Sequence, residues 1–403
     1  MDTGIIGKNI AELRKKAHMT QSELAHQLGL SDKAVSKWEN GHGYPDITVL
    51  PDLASLFGVT IDYIMLGEKK GIAIAGNMLV DIIKNIECYP KPGMLTYVDG
   101  IGQAVGGCMP NTAINLAKID SRIPIKVFGK VGTDENGRYL ISQLQKNGID
   151  VSGISYSSKT ATSFSDVMSM ATGERTFFHK KGANTEFSPS DVNLNELNCS
   201  IFHIGYILLL DTLDAEDEKY GTVMAHLLHD VQKRGIKTSV DVVSSSNPDE
   251  YKTKVIPALK YCDYAFMNEI ECCSVDGVEP RTESGELHIE NIKNTMEKMA
   301  SYGVKEKIIV HSKEKAIVLD VKERKFTEVS SLKIPKDEIK GSVGAGDAFC
   351  AGCLYGLYNN FSDTQLLEFA SAAAACNLFE ANSVDGMRSR AEIMKIAEKY
   401  GRL

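Results

Sequence analysis

What this sequence has little of narrows its class first. Among 403 residues there is a single tryptophan, Trp38, and aromatic residues make up only 7%. Long apolar runs are missing. The longest, Ile201 to Leu210, is interrupted by His203 and falls well short of the ~20 residues a membrane-spanning helix needs, so it reads as a buried strand. Met1-Asp2-Thr3-Gly4 lacks the basic-then-apolar pattern of a secretory signal. The nine cysteines are odd in number and follow no framework spacing, which excludes a disulfide-built scaffold and fits a reducing, cytoplasmic setting. Cys350-Ala351-Gly352-Cys353 has C-x-x-C spacing but no second pair. Small residues packing a buried helix explain it better than metal or redox chemistry. Neither an internal repeat nor a low-complexity tract is present. Positive charge is also in deficit: the net charge of −8 excludes a nucleic-acid coat over the whole surface, though not a small DNA-reading module.

What is present is ordinary globular composition, 43% hydrophobic and 24% charged. At this length one core rarely suffices, so two domains are expected.

The chemically richest stretch is Gly341-Ser342-Val343-Gly344-Ala345-Gly346-Asp347, followed by an apolar segment with helical spacing (Phe349, Leu354, Leu357, Tyr358). It reads as a tight turn opening a helix. The first helical turn has unpaired N–H groups and partial positive charge, and small residues let an anion approach them. Gly344, Ala345 and Gly346 therefore form a candidate anion cradle. Asp347 beside it is unsuited to hold an anion but suited to take a proton from a hydroxyl that attacks phosphorus. The blander reading is a Gly-rich turn with a helix-capping aspartate.

Residues 1–66 carry a different pattern. Thr20 and Glu23 form a capping box before Leu24 and Leu28, Gly29 breaks that helix, and Ser31 caps the next, Asp32 to Glu39, which stops at Asn40-Gly41. Two short helices with a glycine turn between them make a helix-turn-helix. Thr20-Gln21-Ser22-Glu23-Leu24-Ala25, Leu30-Ser31, Val35 to Gly41, Pro45-Asp46 and Phe57-Gly58-Val59-Thr60 resemble the phage-repressor/Cro (XRE) family. By that resemblance Gln21, Ser31, Asp32, Lys33, Ser36 and Lys37 face operator DNA, while Ala34, Val35 and Trp38 pack the core. A helical interaction or oligomerisation module is the alternative. Charge here is nearly balanced, so phosphate contacts are few and tight binding calls for a homodimer. Residues 67–71 form a short polar linker.

From residue 72 to 403 the pattern is strands alternating with helices. Strands are expected at 72–75, 125–128, 201–209, 238–243, 264–267 and 308–310, and helices at 136–147, 215–234 and 289–302. That alternation implies a largely parallel sheet covered on both faces. Two β-like runs, 82–101 and 161–178, break it. Gly76-Asn77-Met78-Leu79-Val80-Asp81 is placed at the end of the first strand. Gly106-Gly107-Cys108-Met109-Pro110-Asn111 precedes a helix expected from Thr112, and Asn268-Glu269-Ile270-Glu271 follows a strand ending at Met267.

With Gly344-Ala345-Gly346-Asp347-Ala348-Phe349 late in the chain, these segments, in this order, resemble the ribokinase-like (PfkB) sugar kinases. The resemblance implies an α/β fold, a parallel sheet sandwiched by helices with a small β lid, here preceded by the all-α helix-turn-helix domain. It implies ATP-dependent phosphorylation of a sugar hydroxyl, with Asp347 as base and Asp81, Gly106, Gly107 and Asn111 on the sugar. Asn268 and Glu271 are placed at the phosphates, Glu271 organising Mg2+ through water, with His311 and Ser312 at the nucleotide. Lys180, Lys181 and Asn184 near the lid are within reach of a substrate, but a solvated charge run is the preferred reading. Two departures stand out. Gly341 and Ser342 replace the family's Asp-Thr, so use of a monovalent cation stays open. The nucleotide loop T-x-G-x-x-G is His311-Ser312-Lys313-Glu314-Lys315-Ala316, without its glycines. A sugar kinase joined to a DNA-binding regulator is the reading; a kinase fold that only senses its ligand is the rival.

Overall fold

A computed structural model describes residues 3–67, 70–172 and 174–403; Glu68 and Lys69 of the expected linker and Gly173 of the second β-like run lie outside the described residues. The chain divides into two compact units, Met1–Lys70 and Gly71–Leu403.

The first unit is five helices: α1 (Thr3–Lys16), α2 (Gln21–Gln27), α3 (Asp32–Glu39), α4 (Leu50–Phe57) and α5 (Ile61–Leu66). The capping box is formed, Thr20 Oγ1 accepting from Glu23 N–H at 3.2 Å while Glu23 accepts from Thr20 N–H at 2.7 Å. Gly29 has φ +66°, which a glycine adopts without strain. Ser31 occupies the N-cap of α3, but its hydroxyl makes no capping bond, contrary to expectation. Ile6, Ile10, Leu24, Val35, Trp38, Leu53 and Ile64 close a small core.

One nearly buried ion pair braces it. Arg14 donates from Nε and Nη2 to the two carboxylate oxygens of Glu39 at 2.7 and 2.8 Å, joining α1 to α3, and from Nη1 to Met19 O at 2.6 Å. Gln21 Nε2 donates to the same carboxylate at 2.7 Å.

The second unit opens with β1 (Gly71–Gly76), β2 (Leu79–Ile86), β3 (Val98–Gly106), α6 (Cys108–Ile119), β4 (Ile125–Gly132), α7 (Glu135–Lys146), β5 (Asp150–Ser157), β6 (Phe164–Met170) and β7 (Arg175–Lys180). It continues with β8 (Cys199–Ile207), a two-stranded hairpin β9 (Glu216–Asp217) and β10 (Gly221–Thr222), α8 (Val223–Gln232), β11 (Lys237–Val242), the short α9 (Pro248–Glu250) and α10 (Ile256–Leu259), β12 (Tyr264–Asn268), α11 (Glu269–Asp276) and α12 (Ile289–Tyr302). Last come β13 (Lys307–His311), β14 (Lys315–Asp320), β15 (Lys325–Ser330), α13 (Ala345–Tyr358), α14 (Asp363–Asn377) and α15 (Arg390–Lys399).

Nine strands form one sheet in the order β15-β14-β13-β12-β11-β8-β1-β4-β5. It is parallel except where β13, β14 and β15 pair antiparallel. Period-2 alternation divides β1 between two cores: Ile72 and Ile74 face the one made by α6, α13 and α14, Ala73 and Ala75 the one on the opposite side. The strand order reverses between β1 and β8, and outside the carboxyl ends of strands at such a switch point a crevice forms.

A second sheet, β3-β2-β6-β7, is the lid. Three expectations need correction here. Asp81 lies on β2, in the lid, because Gly76 (φ +143°) ends β1 five residues before it. The helix after the diglycine begins at Cys108, where Asn77 Oδ1 accepts from Cys108 N–H at 3.0 Å and so supplies the cap. Residues 215–234 are not all helix, since 216–222 form the hairpin before α8.

Glu39 generates a stability prediction for the first unit. Burial raises its pKa, but the bonds from Arg14 and Gln21 outweigh that and hold it below the usual range. Its contribution is therefore full above the unfolded carboxylate pKa and lost as pH falls through the lower folded value. Arg14→Ala strands the carboxylate and costs about 3–5 kcal/mol. Urea unfolding of the full chain followed by Trp38 fluorescence reads this unit alone, because the chain has no other tryptophan. A cost under ~1 kcal/mol contradicts the role given to the pair.

Candidate active site

The crevice is built from strand ends and two helix N-termini. Gly344, with φ +78°, is the N-cap of α13, and a Cβ there would stand 2.4 Å from Ser383 Cβ. That close approach turns the chain so that Asp347, 4% exposed, points inward from the first turn. Ala345 N–H is turned back onto Ser342 O at 3.3 Å, so the cradle differs from expectation. The amides of Gly346 and Asp347, which have no carbonyl one turn back within the helix, are the ones available to an anion.

Asp347 accepts from Asn111 Nδ2 at 2.8 Å and from the Tyr206 hydroxyl at 3.3 Å. Burial pushes its pKa up to about 7; these two bonds oppose the rise, and the charges of Glu271 and Asp81 add to it. Asn111 is itself buried, and its Oδ1 has no hydrogen-bond partner among the described residues.

Tyr206 was not singled out from sequence. It sits where β8 carries an irregularity against β11, Val240 pairing with Ile204 but Val242 with Ile207. Its φ is +57°, unusual for a bulky residue. A bulge of this kind re-aims a side chain, here toward Asp347.

Asp81 belongs to the same cluster, facing Asp347 from the lid. Burial raises its pKa to about 6, against the opposing charge of Arg175 on β7. Gly106 is required for this placement, since a Cβ there would come within 2.6 Å of the Asp81 carboxylate. Gly107, with φ +91°, would meet Asn77 O at 2.7 Å. The diglycine is therefore required by the chain's own packing, whatever it offers a substrate. Asn184 is buried and structural, bonded to Met78 N–H and O at 3.1 Å each, not part of a solvated run.

A cavity of about 80 Å3 continues from Gly346 and is lined by Tyr206, Asp241, Asn268, Glu271, His311 and Phe349 among others. Asn268 and Glu271 make a capping box at the start of α11: Asn268 Oδ1 accepts from Glu271 N–H at 2.8 Å, and Glu271 accepts from Asn268 N–H at 2.9 Å and from Asn268 Nδ2 at 2.7 Å. The N-x-x-E spacing is thus explained by capping. The cap does not explain why Glu271, 6% exposed, shares the cavity with Asp241 and lies within electrostatic reach of Asp347. Burial raises the pKa of Glu271; that of Asp241 is raised by burial and then by the charges of Glu271 and Asp347. Among the described residues, no lysine or arginine lines the cavity, and no group of three or more His, Cys, Asp or Glu side chains is arranged to hold a metal ion. The two cavity carboxylates, Asp241 and Glu271, offer the oxygen that a hard cation such as Mg2+ takes from one or two carboxylates, with water completing its shell.

Asp241 was also missed. Its signal was a lone acid ending an apolar strand, Val240-Asp241-Val242, at the carboxyl edge of a parallel sheet. Of the nucleotide residues, His311 lines the cavity with its ring 4.7 Å from that of Phe349, and burial pushes its pKa down to about 4. Ser312 is occupied elsewhere: its Oγ accepts from Glu314 N–H and Lys315 N–H at 3.1 Å each.

In the first unit, Gln21, Asp32, Lys33, Ser36 and Lys37 share one open concavity with Asn40 and His42; Ser31 does not line it. Gln21 is less free than expected, its amide committed to Glu39.

Compared with known proteins, residues 69–390 match the pfkB family of carbohydrate kinases and residues 10–64 match a helix-turn-helix family. A 5-dehydro-2-deoxygluconokinase of Geobacillus kaustophilus is 23% identical over 337 residues, 81% of this chain and 92% of that one. A ribokinase of Schizosaccharomyces pombe is 23% identical, over 80% and 96%. The structure of Arabidopsis thaliana ribokinase complexed with ribose and ATP superposes with a TM-score of 0.68 at 22% identity, covering 82% of this chain and 99% of that one. Among the described residues no helix is long and apolar enough to cross a membrane.

Tyr206 holds Asp347 toward its ionised form, so Tyr206→Phe raises the Asp347 pKa. Carbon-13 NMR of labelled aspartate, assigned with Asp347→Asn, measures the midpoint. An unchanged or lower midpoint contradicts the arrangement.

Proposed function

The chain belongs to the pfkB family of carbohydrate kinases, and from that premise we propose that it transfers the γ-phosphoryl group of ATP to a hydroxyl of a sugar or sugar-like molecule, and that the helix-turn-helix unit makes this a sugar-responsive transcription regulator. The observation that carries the catalytic part is Asp347. It is a buried carboxylate with a pKa near 7, placed between the lid aspartate and a helix N-terminus.

The acceptor sugar lies between Asp81, whose ionised oxygens accept from neighbouring hydroxyls, and Asn111, whose unpartnered Oδ1 is open to a donor. Asp347 takes the proton of the attacking hydroxyl, and a pKa near neutrality suits a base at neutral pH. The amides of Gly346 and Asp347 and the positive end of α13 stabilise charge on the transferred group. Asn268, Glu271, Asp241 and His311 border the phosphates. Glu271 and Asp241 are the residues that would hold Mg2+, through water or directly; the ion would offset phosphate charge there. Closure of the lid excludes water, which otherwise competes as acceptor. Gly341 offers no carboxylate for a monovalent cation, and the proposal needs none.

Lys33, Ser36 and Lys37 contact operator DNA, with Gln21 holding the recognition face through Glu39. The functional form is a homodimer, supported by the lid. Met94, Leu95, Tyr97 and Ile101 are each at least 70% exposed along β3 and the loop before it. Apolar exposure on that scale marks an interaction surface, and a second copy, which the balanced charge of the DNA-binding unit also calls for, is the occupant.

Asp347→Asn retains sugar binding and loses roughly 10²–10⁴-fold in turnover. Calorimetry and coupled nucleotide-consumption assays measure the two, and turnover within a few-fold of wild type removes Asp347 as the base. For the DNA-binding unit, Lys33→Ala and Lys37→Ala each weaken operator binding, and at a phosphate contact also flatten its salt dependence by about one unit of slope. Selection from random DNA followed by titration tests this; no enriched sequence contradicts it.

A further inference from the structure

One guanidinium gathers three segments at the edge of the nucleotide side of the cleft. Between α11 and α12 the chain folds back on itself, Arg281 bridging to Leu287 and Thr282 N–H donating to Glu286 O at 2.8 Å. Arg281 Nη1 closes this loop on Gly285 O at 3.0 Å and donates to Glu314 Oε1 at 2.9 Å. Its Nη2 donates to Glu314 Oε2 at 3.1 Å and to Glu269 Oε1 at 2.5 Å. Glu269 opens α11, the helix that carries Glu271. Glu314 lies in the turn between β13 and β14, directly after His311.

The two carboxylates are tied to parts of the site that must keep their spacing. Asn268 and His311 are register partners on adjacent parallel strands, so the sheet fixes the distance between their backbones. Beyond the strand ends the sheet gives no such constraint. Arg281 supplies it, with a planar fork that takes Glu314 on both oxygens while holding Glu269. It also offsets two negative charges beside a place meant for an anionic ligand. The turn itself has no glycine through which a ligand could press on the backbone. Ser312 shapes it from within, while from outside Ser331 N–H donates to Glu314 O at 2.8 Å and Arg281 holds the Glu314 side chain.

We propose that Arg281 is a positioning residue for the nucleotide: it fixes the 312–314 turn against the start of α11 and neutralises Glu269 and Glu314, and so sets nucleotide affinity without touching the acceptor sugar. This rests on the kinase reading above. The test is calorimetric titration of the full chain with the Mg2+ complex of a non-hydrolysable ATP analogue, for wild type, Arg281→Ala and Arg281→Lys, with thermal melts run alongside. Arg281→Ala weakens binding roughly tenfold or more, the scale of charge-assisted hydrogen bonds lost. Arg281→Lys keeps the charge but not the fork and gives an intermediate loss. A folded Arg281→Ala with wild-type affinity overturns the inference. If Arg281→Ala does not fold, Arg281→Lys decides, and wild-type affinity there overturns it equally. Wild-type protein that binds no analogue overturns the inference together with the kinase reading.

Discussion

Three carboxylates, Asp241, Glu271 and Asp347, are crowded at the carboxyl edge of the central sheet within electrostatic reach of one another, and among the described residues no lysine or arginine lines the cavity that Asp241 and Glu271 share. Like charges in a low-dielectric recess raise one another's pKa and cost stability. A fold keeps such an arrangement when the site has a use for it, and much of the local structure exists to make it tolerable. Asn111 and Tyr206 donate to Asp347, while Asn268 and Ser244 donate to Glu271. The bulge in β8 and the capping box of α11 bring Tyr206 and Asn268 into place, and the left-handed Gly344 turns Asp347 toward its donors.

The same crowding explains how the two halves of the site are joined. In the proposed reaction the acceptor side, with Asp81 on the lid, and the phosphate side, with Glu271 and His311, meet at Asp347. Lid position therefore bears on the proton affinity of the base, because Asp81 contributes to the raised pKa of Asp347. Closure over a neutral sugar also withdraws water from both carboxylates, so binding of the acceptor and readiness of the base are physically linked.

Much of this was legible in the sequence where several local signals agree. Helix α12 is read to the residue from its amphipathic spacing, and Gly344 to Asp347 declared a helix start with a carboxylate in its first turn. The strands from β1 to β13 in the central sheet stood out as apolar runs, apart from β5, which its polar residues concealed. Legibility failed where a single residue carries the information. Asp241 is one acid in an apolar strand, and Tyr206 owes its role to a bulge that no turn signal announces. Asp81 was misplaced by one element because the break at Asn77-Met78 is only two residues long. Residues 216–222 read as helix because their charged residues follow helical spacing, yet Asp217 accepting from Lys219 and Tyr220 N–H favours a turn. Ser312 was assigned to a ligand when its hydroxyl is spent on its own turn. Side-chain partners of this kind are a tertiary property, and spacing alone does not reveal them.

The turn after His311 separates the two functional outcomes most sharply. It lacks the glycines of the family it resembles, and either Arg281 and Ser312 hold it in a productive shape or the unit binds its ligand without turnover. Phosphorus-31 NMR of the full chain with ATP, Mg2+ and a panel of sugars, sugar acids and nucleosides decides between these outcomes. The account predicts that for at least one acceptor a phosphate monoester signal grows in step with ADP. Acceptor binding without any ester, across a panel that includes compounds the protein demonstrably binds, would contradict it and leave the kinase fold as a sensor.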